Sequence, residues 1–190
     1  MSKTAKDILA GIGAVCVALA VIAILYLASG LYNVGADSEH TGLLSWALAA
    51  VRERSVDAHG DDVVVPRLDN PKMIADGASD YDEMCTGCHL APGMAENEMR
   101  PGLNPKPPVL AKDPPDSPAE AFWVIKHGIK MTGMPAWGVT HSDAEIWNIV
   151  AFLNRLPALS PPQYRALVAS AAGHHGHDDS HAPMPPGMRM

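Results

Sequence analysis

The sequence predicts an all-α protein, with a single N-terminal membrane-spanning helix followed by a small helical domain. Three observations lead to this. Residues 8–31 are almost continuously apolar, and no charged residue occurs from 8 to 36. Three helix-start signals follow, at Asn70-Pro71, Ser117-Pro118-Ala119-Glu120 and Ser142-Asp143-Ala144-Glu145. No segment has the period-two alternation of a half-buried strand.

The apolar run is long enough to cross a bilayer, since about 20 residues at about 1.5 Å rise each span the hydrocarbon core. Lys3 and Lys6 precede it, and Asp37 and Glu39 follow it. The positive-inside bias then places the N-terminus in the cytoplasm and everything after Tyr32 outside. A signal peptide cleaved after Val34-Gly35-Ala36 is the competing reading, but signal apolar regions usually run about 7–15 residues. Cys16, mid-segment, is expected only to act as a small apolar residue.

Beyond the anchor (1–32), residues 33–66 read as a stem and linker. A short amphipathic helix is expected from His40 to Ser55, with Leu43, Leu44, Ala47, Leu48 and Val51 as its apolar stripe. A compact domain is expected over 67–158. Its first helix takes Asn70 as N-cap and Pro71 at the first helical position, and buries Met73, Ile74, Gly77, Ala78 and Tyr81. Its second opens on the Ser117–Glu120 capping box and stops at Gly128; its third opens on the Ser142–Glu145 box and runs to Pro157. Seven prolines from Pro101 to Pro118 make the connection between the first two helices a loop. Residues 159–190 are expected to form one or two turns around Tyr164, Leu167 and Val168, then a disordered tail.

A net charge of −7 over 190 residues excludes a nucleic-acid partner of the basic-patch kind. Three cysteines cannot staple a scaffold, yet two of them stand in Cys85-Thr86-Gly87-Cys88-His89. Thiols at this spacing lie one helical turn apart and can reach the two vinyl groups of one haem, with the adjacent histidine held under the iron. This pattern reads as c-type haem attachment. A thioredoxin-like pair would need a βαβ context, and a zinc site would need a second ligand pair; the sequence offers neither. One motif implies one covalent haem. The composition agrees, because two Phe residues in the whole chain leave a small domain short of core volume that a porphyrin would fill.

For the sixth iron position the leading candidate is Met134, in Gly133-Met134-Pro135-Ala136-Trp137, where Gly133 admits close backbone approach and Pro135 stiffens the chain. Met131, then Met94 and Met99, and the histidines His127 and His141 are the alternatives.

Residues 67–157 resemble the class I cytochrome c domain. They carry Gly77 and Tyr81 ahead of the haem motif, then a proline-rich loop, the Gly133-Met134-Pro135 methionine loop and a Trp- and Ile-rich last helix. The resemblance implies that Gly77 and Tyr81 cross the last helix, with Trp147 or Val150 as partners. It also implies that a loop carbonyl, for which Pro108 is the candidate, holds the second ring nitrogen of His89. The haem-binding set is therefore Cys85, Cys88, His89, Met134, Pro108, Tyr81 and Trp137, with His89 and Met134 as axial ligands.

Histidine–methionine ligation leaves no open site and raises the reduction potential. The expectation is an electron-transfer protein rather than an enzyme: a membrane-anchored monohaem carrier between redox protein partners on the periplasmic side of a bacterial inner membrane, with no small-molecule substrate. The alternatives are a fixed cytochrome subunit of a membrane oxidoreductase and a haem sensor or enzyme with an open sixth site. Glu96, Glu98, Arg100, Lys106, Lys126 and Lys130 are candidates for a charged docking ring. The tail residues His174, His175, His177 and His181, with Asp178, Asp179, Met184, Met188 and Met190, suit copper, nickel or zinc.

Overall fold

The computed structural model describes residues 2–38 and 40–171, and among these it holds seven α-helices and no strand. The His- and Met-bearing tail proposed for copper lies outside the described residues. The chain divides into two compact units, residues 1–39 and 40–190.

The first unit is helix α1, Lys3–Ala28, capped by the Ser2 hydroxyl accepting the Ala5 N–H at 3.3 Å. None of its residues is buried, and its length and composition suffice for a membrane span. It begins before the apolar run and stops before its end, at Ser29 and a left-handed Gly30.

The second unit holds α2 (Gly42–Gly60), α3 (Pro71–Met84), α4 (Thr86–His89), α5 (Pro118–His127), α6 (Asp143–Leu153) and α7 (Pro161–Ala171). Helix α3 starts where the sequence places it, with Asn70 Oδ1 accepting the Lys72 N–H at 2.9 Å. Helix α6 opens on a complete capping box: the Ser142 hydroxyl accepts the Glu145 N–H, and Glu145 accepts the Ser142 N–H at 2.7 Å. The core lies where α3 and α6 cross, around Ala78, Tyr81, Ile146, Ile149, Val150 and Phe152. Gly77 permits the crossing. A Cβ there would fall inside contact distance of the Asn148 carbonyl, so the helix backbones meet directly. Gly77 meets the Asn148 backbone, the Tyr81 ring packs on Phe152 at 5.2 Å in the core that also holds Val150, and Trp147 stacks on Phe122 at 4.1 Å.

Three expectations need correction. Helix α5 does not form a capping box: Ser117 makes no side-chain cap bond, and Glu120 lies against Gly60 of α2 instead. Burial beside α2, reinforced by Asp57, Asp116 and Asp61, holds the Glu120 carboxyl above its usual range. Helix α2 is longer than expected, and only Leu44 and Ala47 of its apolar stripe are half-buried. Its C-terminal half packs on α5, with Gly60 buried and His59 stacked on Trp123 at 5.0 Å, while Leu43 and Val51 stay exposed. Polarity segregates along this helix, apolar before Arg52 and polar after, so periodicity alone misplaces the packed face. Helix α7 has 11 residues and packs on α3, with the Tyr164 hydroxyl donating to Asp82 at 2.6 Å. The compact unit therefore extends beyond 67–158 at both ends.

Gly77→Val should destabilise the protein by about 3 kcal/mol, the upper part of the range for overpacking, because the obstruction is backbone. Urea unfolding measures it.

Candidate functional site

Helix α3 ends at Met84, and the chain turns through Cys85 directly into the single turn of α4, which carries Thr86, Gly87, Cys88 and His89. The Thr86 hydroxyl donates to the Asp82 carbonyl at 2.7 Å, joining the two helices. The Tyr81 hydroxyl, fully buried, donates to the Leu90 carbonyl at 2.7 Å and fixes the exit from the motif, where Leu90 itself has positive φ. One face of this segment opens on a cavity of about 660 Å³, within the range of ligand sites of about 300–1,000 Å³.

The cavity brings together Cys85, Cys88, His89, Met134, Pro108, Tyr81 and Trp137, with Ile149 and Leu153 of α6 among its apolar lining. His89 Nδ1 lies 2.9 Å from the Pro108 carbonyl. A carbonyl can only accept, so Nδ1 carries the hydrogen and Nε2 keeps its lone pair for a metal. Burial lowers the His89 pKa, and Arg100 lowers it further against the bond to Pro108, so the ring is held in the neutral form that ligation needs. Burial pushes the Cys85 thiol up to about 12, with Asp80 and Cys88 adding to it. A thiol held protonated is the reverse of the activated thiolate of a redox pair. Cys85 and Cys88 are free and half-buried. Two free thiols, one neutral imidazole with its tautomer set and a largely apolar cavity fit a covalently attached haem.

The other ligand candidates separate by position. Met131 is 87% exposed, Met94 and Met99 are about half exposed, and none of the three lines the cavity; nor do His127 and His141. Met134 does. Its loop folds back on the end of α5, where the Ile129 N–H donates to the Met134 carbonyl at 3.2 Å. Thr132 closes the turn, its hydroxyl donating to the Ile129 carbonyl at 2.8 Å and accepting the Met134 N–H at 3.1 Å. Gly133 lies close against the Leu103 side chain, and Gly128 is tighter still. Gly128 has φ +64°, and a Cβ there would stand 2.7 Å from the Met134 carbonyl oxygen.

Arg100 is not a docking charge. It is buried and donates to the Cys88 carbonyl (3.0 Å), the Pro107 carbonyl (2.6 Å) and Glu96 (2.7 Å). One guanidinium thus ties the haem motif to the loop that presents Pro108. Asn97 assists, donating to the Gly87 carbonyl at 2.6 Å and accepting the Arg100 N–H at 3.1 Å. Lys106 pairs with Glu96 at 2.6 Å and Lys126 with Asp143 at 2.7 Å, so much of the expected ring is engaged internally. Sequence reasoning placed Arg100 by its charge alone; no local pattern marks an arginine whose partners lie 4, 7 and 12 residues away.

Arg100→Lys, which cannot span three acceptors, should cost about 2 kcal/mol through the lost charged hydrogen bonds. Guanidinium unfolding followed by circular dichroism measures it.

Residues 72–153, under half of the chain, match the family model described as cytochrome c oxidase, cbb3-type, subunit III. Searches of curated proteins and of solved structures each found no match. The matched segment contains the crossing helices, the Cys85–His89 motif, the Pro108 carbonyl and the methionine loop, and the family it matches is one of electron transfer. Residues 72–153 are a c-type cytochrome domain, which binds haem and transfers electrons.

Proposed function

We propose that this protein is a membrane-anchored monohaem cytochrome that carries single electrons between redox protein partners on the periplasmic side of a bacterial inner membrane. The observation that carries the reading is the convergence of Cys85, Cys88, His89 and Met134 on one cavity. Haem c, when bound, supplies a one-electron iron couple. Cys85 and Cys88 would hold it through thioethers, and His89, its ring oriented by the Pro108 carbonyl, would ligate the iron. Met134, its loop set by Gly128 and Thr132, would supply the second iron ligand. Two ligands built into hydrogen-bonded segments would keep the iron surroundings alike in both oxidation states, which would favour rapid electron passage and leave no position for a substrate. Trp137 and Tyr81 complete the pocket wall. Helix α1, with Lys3 and Lys6 in its first turns and acidic residues after it, supports the single-pass, N-in arrangement.

A second reading has its own support. The matched family is described as an oxidase subunit, so a fixed place in a membrane oxidoreductase is the alternative to a free shuttle. Mild detergent extraction separates the two: a free shuttle emerges as a single polypeptide, whereas a subunit emerges with partner chains and a shared oxidase activity.

Pyridine haemochrome spectra should show one haem c per chain. Reduced wild-type protein should be unchanged by carbon monoxide. Met134→Ala should bind carbon monoxide and lower the reduction potential, while Met131→Ala should do neither. Carbon monoxide binding by the wild type would replace the carrier reading with the sensor or enzyme.

A further inference from the structure

The cavity has a wall that the matched family segment does not supply. Arg52, Glu53 and Val56 of α2, which precedes residue 72, line it together with α5 and the proline-rich loop. The charged part of this lining is predominantly acidic: Glu53, Asp113, Asp116 and Glu120 contribute carboxylates. The two lining residues with permanent cationic side chains are Arg52 and Lys106. Lys106 is engaged with Glu96 at 2.6 Å, and Glu96 is held below its usual range by Lys106 and Arg100. Arg52 has only a weak claim on it, from its chain neighbour Glu53 at 3.3 Å, with the Arg52 side chain 40% exposed.

A haem brings two propionate carboxylates of its own, on the porphyrin edge opposite the vinyl groups. The thiols that take the vinyl groups stand on the α3–α4 segment, whereas α2 packs on α5. Adding two negative charges to a lining that already holds four carboxylates is unfavourable unless a cation meets them. An arginine matches a carboxylate with two parallel N–H donors, and its side chain is long enough to move from Glu53 to a new partner on the same wall.

We propose that Arg52 is the guanidinium partner of the haem propionates, which makes α2 part of the haem site rather than a passive stem. The proposal rests on the reading that the cavity holds haem c. The charge of Arg52 then disfavours the oxidised iron, so this helix contributes to the reduction potential. Arg52 is a positioning residue, since it meets the carboxylates and not the iron.

The test is potentiometric titration, beside pyridine haemochrome spectra, of the detergent-extracted full chain as wild type, Arg52→Gln, Arg52→Lys and Lys106→Gln. Arg52 is partly exposed and outside the core cluster, so these variants should retain the fold and one covalent haem. Arg52→Gln should shift the reduced-to-oxidised ratio about tenfold toward oxidised, a fall of about 59 mV for one electron. Arg52→Lys should stay near wild type, and Lys106→Gln should not move. An unchanged potential in Arg52→Gln overturns the proposal, as does an equal fall in Arg52→Lys or a fall in Lys106→Gln instead. Those results leave the haem reading intact. A wild-type chain without haem c removes both.

Discussion

The direct contact of two helix backbones at Gly77 governs the rest of the domain. Because no side chain stands between α3 and the Asn148 carbonyl, α3 can lie close enough to α6 for Tyr81, one turn further on, to bury completely against Phe152. That places the phenol within reach of the Leu90 carbonyl, on the far side of the Cys85–His89 segment. The crossing therefore determines where α3 ends, and its end determines where both thiols and the imidazole are presented. A wider crossing would loosen all of them together, since interiors pack too densely for one element to shift alone.

The loops that present the ligands have little regular structure, and polar side chains do there what helix hydrogen bonds do elsewhere. Asn97 and Arg100 satisfy the carbonyls of Gly87 and Cys88, which α4 is too short to pair within itself, and Arg100 also that of Pro107 in the loop. Thr132 and the Gly128 turn do the same for the methionine loop. A buried carbonyl without a donor is costly, so each of these side chains contributes order as well as stability. The result is a cavity whose two candidate iron ligands arrive from segments 45 residues apart in sequence yet are each held by a short, local network.

Helices α2 and α7 lie outside the matched segment but inside the packed unit. Helix α7 closes over α3 through Tyr164 and Asp82. Helix α2 changes the electrostatics, bringing Asp57 and Asp61 near Glu120 and adding Arg52 and Glu53 to the cavity wall. Both helices thus add to the matched segment surroundings that its own residues do not supply.

By itself the sequence determined what depends on near neighbours. The membrane-length helix, the starts of α3 and α6, the attachment motif and the preference for Met134 all follow from residues within a few positions of one another, where spacing, cap chemistry and apolar runs act locally. Tertiary structure decided what depends on partners far along the chain. It gave Glu120 to α2 instead of to the Ser117 cap, turned the stripe of Leu43 and Val51 away from α5, drew α7 into the core and made Arg100 an internal tie. In each case a side chain had two physically reasonable uses, and the choice rested on which element packed beside it. Capping and periodicity carry no information about that neighbour, whereas burial and hydrogen bonding across the fold do.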